Sequence, residues 1–278
     1  TIFRKASRYS AFEKKMMMNG VDLVYFVSPS RWANELEELN YMVTIWDTAH
    51  RDEPEFPEVR NDSAVEARDL HYLSITRRAA CVFVDSEHSK NRVNSLYGVG
   101  LERISVLPFQ QGFTFDQTCN SEEGFCIKEK LGLLHDFIFY PAQFWSHKNH
   151  SYLLVVLQIL RIRYNIDLCA VFAGVDKGNL GYIKQLSCAL GVQDLVVFPG
   201  YVPDEEIHFY YQQAAAVTMP TYFGPTNLPP LEAFCTGTPV FYPNGAGFGD
   251  FVGIHESLID LQDPNSLAGK LVRLSSDE

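Results

Sequence analysis

Three short segments hold most of the residues able to do chemistry. The densest runs from 220 to 239 and reads PTYFGPTNLPPLEAFCTGTP. An apolar run ends at Met219-Pro220, a loop with Gly224, Pro225, Thr226 and Asn227 follows, and a helical pattern opens near Pro229 and carries Glu232. Proline in a first helical turn and asparagine just ahead of it make a sound N-terminus, with Asn227 the expected cap. The unpaired N–H groups and positive dipole end of such a terminus seat an anion, each contact worth ~0.3–1 kcal/mol when exposed. Glu232, about one turn in, is placed to accept hydrogen bonds from a ribose diol, as an acidic residue does in dinucleotide folds. Taken alone, the segment is equally a capped helix with an exposed glutamate.

The second segment is Tyr140-Pro141-Ala142-Gln143-Phe144-Trp145-Ser146-His147-Lys148-Asn149-His150, directly after another apolar run. Lys148 supplies a compact cation suited to a diphosphate, and Gln143 and His147 add hydrogen-bond donors. Trp145 reads as a wall. The third segment, Trp46-Asp47-Thr48-Ala49-His50-Arg51-Asp52, offers a histidine and two aspartates after a strand, which invites a general-base reading. As a metal site it is weak, because His50 has no partner at i+4 and Asp47 and Asp52 stand five apart. Gly245-Ala246-Gly247-Phe248-Gly249 lacks the strand-to-helix context of a dinucleotide loop and reads as a plain loop. No spacing fits a nucleophile elbow or a Walker loop.

These segments need elements to hold them. Apolar, β-branched and aromatic runs recur at 21–28, 41–46, 80–85, 104–108, 136–140, 168–173, 195–199, 215–220, 239–242 and 257–260. They are apolar almost throughout rather than alternating, which predicts strands buried on both faces of parallel sheets. Helical patterns lie between them at 62–79, 87–97, 149–163, 179–190, 204–213 and 229–236. Strand then helix, repeated, predicts α/β architecture with doubly wound sheets, which bind ligands at the carboxyl ends of their strands. The pattern breaks once, over the polar stretch 110–134. That stretch is expected to be an interdomain linker between a domain at 1–109 and another at 135–278.

Composition narrows the classes further. The 278 residues carry 23 Lys plus Arg against 34 Asp plus Glu, a net charge of −11, with 46% apolar residues, so neither a disordered nor a collagenous chain is in question. No run of 18 apolar residues exists to span a bilayer. Residues 1–20 hold Arg4, Lys5, Arg8, Lys14 and Lys15 against Glu13, a local +4 that leaves −15 for the remainder. An acidic remainder argues against nucleic acid as a partner. The basic stretch, with Phe3, Tyr9, Phe12 and Met16–Met18, fits either an anionic membrane surface or a helix packed on its own domain. Six cysteines without a CxxC pair read as reduced core cysteines of a cytosolic protein.

Assembled, these pieces carry a resemblance. The second half resembles the nucleotide-sugar domain of retaining, group 1 (family four) glycosyltransferases with the GT-B fold. The match lies in PAQFWSHKNH at 141–150, VFAG at 171–174, FPGYVPDEEI at 198–207, FGPTNLPPLEA at 223–233 and GTPV at 237–240. The first half is similar to the later part of that family's acceptor domain through TIWDTAHRDEPEFPEV at 44–59 and VFVDSEHSK at 82–90.

The resemblance implies two Rossmann-like domains facing a cleft. It assigns the donor diphosphate to Lys148, the ribose to Glu232, and backbone contacts with phosphate to Thr226, Asn227 and Leu228. His50 would lie across the cleft near the donor sugar, the loop Tyr201-Val202-Pro203 would border the base, and Gln143, His147 and Gly224 complete the donor-binding set. Two positions depart from the family's pattern. Gly224 replaces a glutamate, eight residues before Glu232, that normally helps orient the sugar; Gln143 replaces an arginine often found five before the lysine.

The implied reaction moves a hexose from a nucleoside diphosphate sugar to a glycan or lipid-linked acceptor, as in polysaccharide biosynthesis. Anomeric configuration is retained, and no metal, cofactor or protein nucleophile takes part. GDP-mannose is the donor expected from family frequency, with UDP and dTDP sugars close behind. The expected location is the cytoplasm, with the basic stretch as the point of any peripheral contact at the inner face of the membrane. An epimerase or hydrolase of GT-B fold and a non-catalytic nucleotide-sugar-binding protein stay open as alternatives. Family members start with further strand-helix units and close with further helices, so a complete gene is expected to extend at both ends, the N-terminal domain being the shortened one.

Overall fold

The computed structural model describes residues 9–60, 64–108, 125–224, 228–243 and 255–276. The chain divides into two compact units, Thr1–Pro108 and Phe109–Glu278.

In the first unit the elements are α1 (Ala11–Met18), β1 (Leu23–Phe26), β2 (Asn40–Thr44), α2 (Ala49–Asp52), α3 (Ala64–Arg78), β3 (Cys81–Val84), α4 (Glu87–Tyr97) and β4 (Ile104–Val106). The strands pair in parallel in the order β1-β2-β3-β4. Helix α4 shows local signals at work: the Ser86 side chain accepts the Ser89 N–H at 3.1 Å, and Gly98, at φ 65°, ends the helix in the left-handed conformation.

One face of this sheet, with Val43, Val82 and Ile104, is buried beneath Ile75 of α3 and Val93 of α4. The other face is not: Leu23 and Tyr25 are exposed, and Met42, Cys81 and Phe83 only half-buried. Among the described residues this sheet is therefore covered more fully on one face than on the other, although Thr44 on the second face is buried. Among the described residues its long helices pack on a single side, something an apolar strand composition cannot reveal.

The basic N-terminal stretch contributes α1, which packs on its own unit. Glu13 turns inward, and its Oε1 accepts the backbone N–H groups of Glu37, Glu38 and Leu39 at 2.9, 2.7 and 2.9 Å. Burial pushes this carboxyl up, but the three N–H donors and Arg78 outweigh it and hold the group below its ordinary range.

The second unit contains α5 (Ile127–Leu131), β5 (Phe137–Pro141), α6 (His150–Ile159) continued by a π turn (Leu160–Tyr164), β6 (Cys169–Ala173), α7 (Leu180–Ala189) and β7 (Val196–Gly200). It continues with α8 (Ile207–Gln213), β8 (Ala216–Thr218), α9 (Leu228–Thr236), β9 (Val240–Pro243), β10 (Leu258–Ile259) and α10 (Asn265–Leu274). Its parallel sheet has the order β10-β9-β8-β5-β6-β7. Every residue of β6 is buried, as the apolar run predicts for a strand covered on both faces.

Two regions differ from expectation. Residues 125–134, read as the end of a linker, belong to this unit: Ile127 is fully buried, and Gln213 accepts the Ile127 N–H at 2.8 Å while donating to the Phe125 carbonyl at 2.7 Å. Helix α10 was not anticipated. It buries Leu267, Ala268 and Leu271, and its entry is held by Tyr152 of α6, whose hydroxyl donates to the Asp260 carbonyl at 2.9 Å.

The cysteines also correct the core reading: Cys119 lies outside the described residues, and of the five described only Cys169 is buried, Cys81 and Cys126 are half-buried, and Cys188 and Cys235 are exposed on α7 and α9. No helix among the described residues is long and apolar enough to cross a membrane.

Candidate functional site

In the second unit the chain winds from β5 through β6 to β7, then returns to place β8, β9 and β10 on the other side of β5. Strand order reverses between β5 and β8. Open α/β sheets bind ligands at such a reversal, outside the carboxyl ends of the two strands. The loops leaving these strands are the two chemistry-bearing segments of the second half.

The loop after β5 is built on aromatic packing. His150, at the start of α6, stacks on Phe144 with ring centroids 4.5 Å apart and contacts Tyr140 and Phe172 at 4.8 and 5.2 Å. Burial in this cage pushes the imidazole down to about 3, only partly opposed by the Ala142 carbonyl, so His150 is a neutral packing group. Asn149, at φ 53°, lets the chain reverse from the 3₁₀ turn Ser146–Lys148 into α6. Close approach fixes the other side. A Cβ added at Gly174, just past β6, would lie 2.2 Å from the Ala142 oxygen.

The two loops are clipped together. The His147 carbonyl accepts the Tyr222 N–H at 2.9 Å and the Thr221 hydroxyl at 3.3 Å, and the His147 ring stacks on Phe223 at 3.9 Å. The Tyr140 hydroxyl, rising from β5, donates to the Lys148 carbonyl at 2.9 Å. Lys148 is thus presented on a braced turn, and burial pulls its ammonium down to about 8. A cation held short of water in this way gains from an arriving anion.

Beyond Phe223 the chain passes Gly224, at φ 120°, a conformation that L side chains rarely adopt. Thr226 and Asn227, and with them the expected cap, lie outside the described residues. Helix α9 starts at Leu228, one residue earlier than expected, with Pro229 and Pro230 in its first turn. It ends in a left-handed Gly237 at φ 71°, with the Thr238 N–H bonded to the Ala233 carbonyl at 2.9 Å.

Glu232 is half-buried on α9, and Tyr211 of α8 donates its hydroxyl to Oε2. Burial pushes the Glu232 carboxyl up, and that hydrogen bond pulls it part of the way back. Tyr211 escaped the sequence reading because a fully buried tyrosine inside an apolar helix pattern looks like core.

The other expected donor-binding residues are placed as follows. Gln143 is exposed, and its Oε1 accepts the Trp145 indole N–H at 2.9 Å, so it fixes the wall residue. Lys177, from the loop after β6, lies over the Trp145 ring at 5.5 Å and adds a cation that sequence reasoning missed. Tyr201 is exposed after β7 and donates to Asp204 at 3.2 Å, whereas the Val202 side chain belongs to the core, which leaves only its backbone for a ligand.

His50 belongs to the first unit, on α2. It is buried, with Nε2 3.3 Å from the Tyr97 hydroxyl and 3.6 Å from Asp69 Oδ1, and its ring stands edge-on to Tyr72. Its Nδ1 has no hydrogen-bond partner among the described residues. Burial, reinforced by Arg68, lowers its pKa below the ordinary 6.5. The neighbouring aspartates do not support a general-base cluster. Asp47 accepts the Ala49 N–H at 2.9 Å, and Asp52 is taken up by the Thr48 hydroxyl and Arg92.

Two parallel, helix-bearing sheets in one chain, the second with a braced cation at its strand reversal, define a protein of the tandem Rossmann-like α/β class. More narrowly, the chain belongs to the group 1 glycosyl transferases, whose family profile matches residues 127–278. An uncharacterized glycosyltransferase of Methanocaldococcus jannaschii is 26% identical over 227 residues, covering 78% of this chain and 56% of that protein. O-antigen chain mannosyltransferase B of Escherichia coli is 29% identical over 212 residues, covering 72% and 52%. The chain spans about half the length of these relatives.

Among solved structures, Anabaena HepE in complex with UDP and glucose superposes with a TM-score of 0.77 at 16% identity, over 96% of this chain and 72% of that one. Sucrose-phosphate synthase from Thermosynechococcus elongatus does so with a TM-score of 0.74 at 20% identity, over 96% and 67%. The fold is the GT-B fold of these glycosyltransferases.

Proposed function

We propose that this chain binds a nucleoside diphosphate sugar at the β5/β8 reversal of the second unit and serves transfer of its hexose, with retention of configuration, to a glycan or lipid-linked acceptor. The observation that carries the reading is the clip between the Lys148 turn and Thr221–Phe223, which holds a desolvated cation at the strand reversal from which the chain continues to α9 and the carboxylate of Glu232. In this reading Lys148 and the α9 terminus take the diphosphate, and Glu232 takes the ribose.

In the reaction, the bond between the anomeric carbon and the terminal phosphate oxygen breaks, and an acceptor hydroxyl bonds to that carbon from the same face. The hydroxyl proton goes to the departing diphosphate. Fixed positive charge at the diphosphate lowers the barrier because negative charge grows there in the transition state. No metal or cofactor has a part in this scheme. The role that the resemblance gives His50, holding the donor sugar, is tested by His50→Ala.

The mannosyltransferase relative supports mannose as the sugar of the expected GDP-mannose donor, while the UDP and glucose of the HepE complex keep UDP-glucose beside it. Calorimetry against UDP, GDP and dTDP, followed by mass spectrometry and NMR of products from their sugars, tests the proposal. It fails if no nucleoside diphosphate binds, or if Lys148→Ala and Glu232→Ala both leave binding unchanged. Free sugar as the product would favour a hydrolase, and an epimerised nucleotide sugar would favour an epimerase.

A further inference from the structure

Glu232 is not a bare helix glutamate. Side chains on a helix lean toward its N-terminus, and Glu232 lies one turn after Leu228 on the same face, so its carboxylate overhangs the turn that opens α9. Tyr211 holds it there. The Tyr211 ring is fully buried, packed edge-on to Phe139 at 5.2 Å. Its backbone carbonyl accepts the Thr238 hydroxyl at 2.7 Å, and Thr238 is in turn bonded to Thr236, at the end of α9, at 2.9 Å. Both the backbone and the side chain of Tyr211 are thus anchored to the α9 segment.

Joining two helices would not need this arrangement. An aliphatic side chain opposite a phenylalanine would pack as well, without desolvating a carboxylate, and a buried polar pair is seldom a net gain in stability. Tyr211 engages Oε2 alone, and among the described residues Oε1 has no hydrogen-bond partner.

We infer that Tyr211 is the positioning residue of Glu232: by occupying Oε2 it turns Oε1 toward the ribose hydroxyls and so sets the preference for ribonucleotides over deoxyribonucleotides. This rests on the proposed ribose-binding role of Glu232. Nothing in the sequence pairs the two residues, which stand 21 apart.

The test measures binding of UDP and GDP, each beside its 2′-deoxy counterpart, with inorganic pyrophosphate as a probe of the phosphate seat alone. In the unaltered protein the tighter-binding ribonucleotide is preferred over its deoxy form by roughly tenfold, the worth of one hydrogen bond to a charged group. Tyr211→Phe, which keeps the ring, is expected to lower that preference to about twofold or less. Affinity for the deoxy form and for pyrophosphate should stay within about twofold of the unaltered protein. Where turnover is measured, KM rises and kcat holds. The double variant Tyr211→Phe/Glu232→Ala should discriminate no less than Glu232→Ala alone, since both changes act through one group.

The outcomes separate the two ideas. If Glu232→Ala keeps the ribose preference, or no nucleotide binds, the ribose reading itself is wrong and the inference falls with it. If Glu232→Ala abolishes the preference but Tyr211→Phe keeps it, the ribose reading stands and the positioning role is refuted. If Tyr211→Phe weakens pyrophosphate binding in step with UDP or GDP, Tyr211 merely supports the fold, and the inference is again overturned.

Discussion

Replacing Lys148 by Met should make the ligand-free protein more stable while making it a poorer anion binder. The ordinary pKa of 10.5 falls to about 8 because the ammonium is desolvated on its braced turn. At 1.36 kcal/mol per unit of pKa the displacement corresponds to about 3 kcal/mol, and because the side chain keeps part of its surface in water, about 2 kcal/mol is the share to expect. The sign follows from proton binding. Between about 8 and 10.5 the unfolded chain holds more protons at this residue than the folded one, so the cost of the charged form is fully present below pH 8 and is relieved as pH rises to 10.5.

Lys148→Met removes that cost, so its melting temperature should exceed that of the unaltered protein by several degrees at pH 7, and the gap should close above pH 10.5. A bound diphosphate restores the ordinary pKa, so binding near pH 8.5 takes up a proton, readable as a dependence of calorimetric enthalpy on buffer ionisation. The affinity of UDP or GDP should fall progressively above pH 8. If Lys148→Met is less stable than the unaltered protein at pH 7 and binds the nucleotide equally well, the lysine is an ordinary structural cation and the reasoning is wrong.

Glu13→Gln exchanges charge-assisted bonds to three backbone N–H groups for neutral ones and should destabilise the first unit by about 2 kcal/mol in denaturant titration. Because the Glu13 pKa is lowered on folding, its contribution is present above pH 4.5 and is lost as pH falls through the folded value, so the gap to Glu13→Gln should narrow in acid. His150→Phe preserves the aromatic cage and should remove part of the acid lability between pH 6.5 and about 3, where the unfolded chain binds a proton that the buried imidazole refuses; melting temperature against pH reads this. Gly174→Ala drives a Cβ against the Ala142 carbonyl and should lower stability by about 1–3 kcal/mol and weaken pyrophosphate binding, since the displaced loop carries Lys148. Gly224→Glu, which introduces the glutamate that the resemblance implies for that position, should fail to improve donor use, because φ 120° is strained for any L side chain.

The ten apolar runs that predicted strands each overlap an observed strand, with bounds that differ by a residue or two, because burial between helices demands unbroken apolar sequence and little else imitates it over five residues. That signal reports how apolar a strand is, not what covers it. Tyr25 and Phe83 have the composition of buried strand residues, yet they stand on the less covered face of the first sheet. Helix α10 was missed for a related reason: its apolar residues Leu267, Leu271 and Leu274 repeat at helical spacing, but the polar run Asp263-Pro264-Asn265-Ser266 ahead of them reads as loop.

In the site, what a single segment encodes was legible and what two segments make together was not. Lys148 after β5 and Glu232 one turn into α9 could be picked out because each follows a strand end at a telling distance. The strand reversal that sets their two loops side by side depends on pairing between β5 and β8, some 80 residues apart, and no local pattern records it. The same holds for Tyr211, for the His147–Phe223 stack, and for Lys177 above Trp145, all of which join residues that only the folded sheet brings into contact. Local sequence therefore named Lys148 and Glu232, while their pKa shifts, and hence the protonation state that an anion would meet, come from neighbours contributed by distant strands and helices.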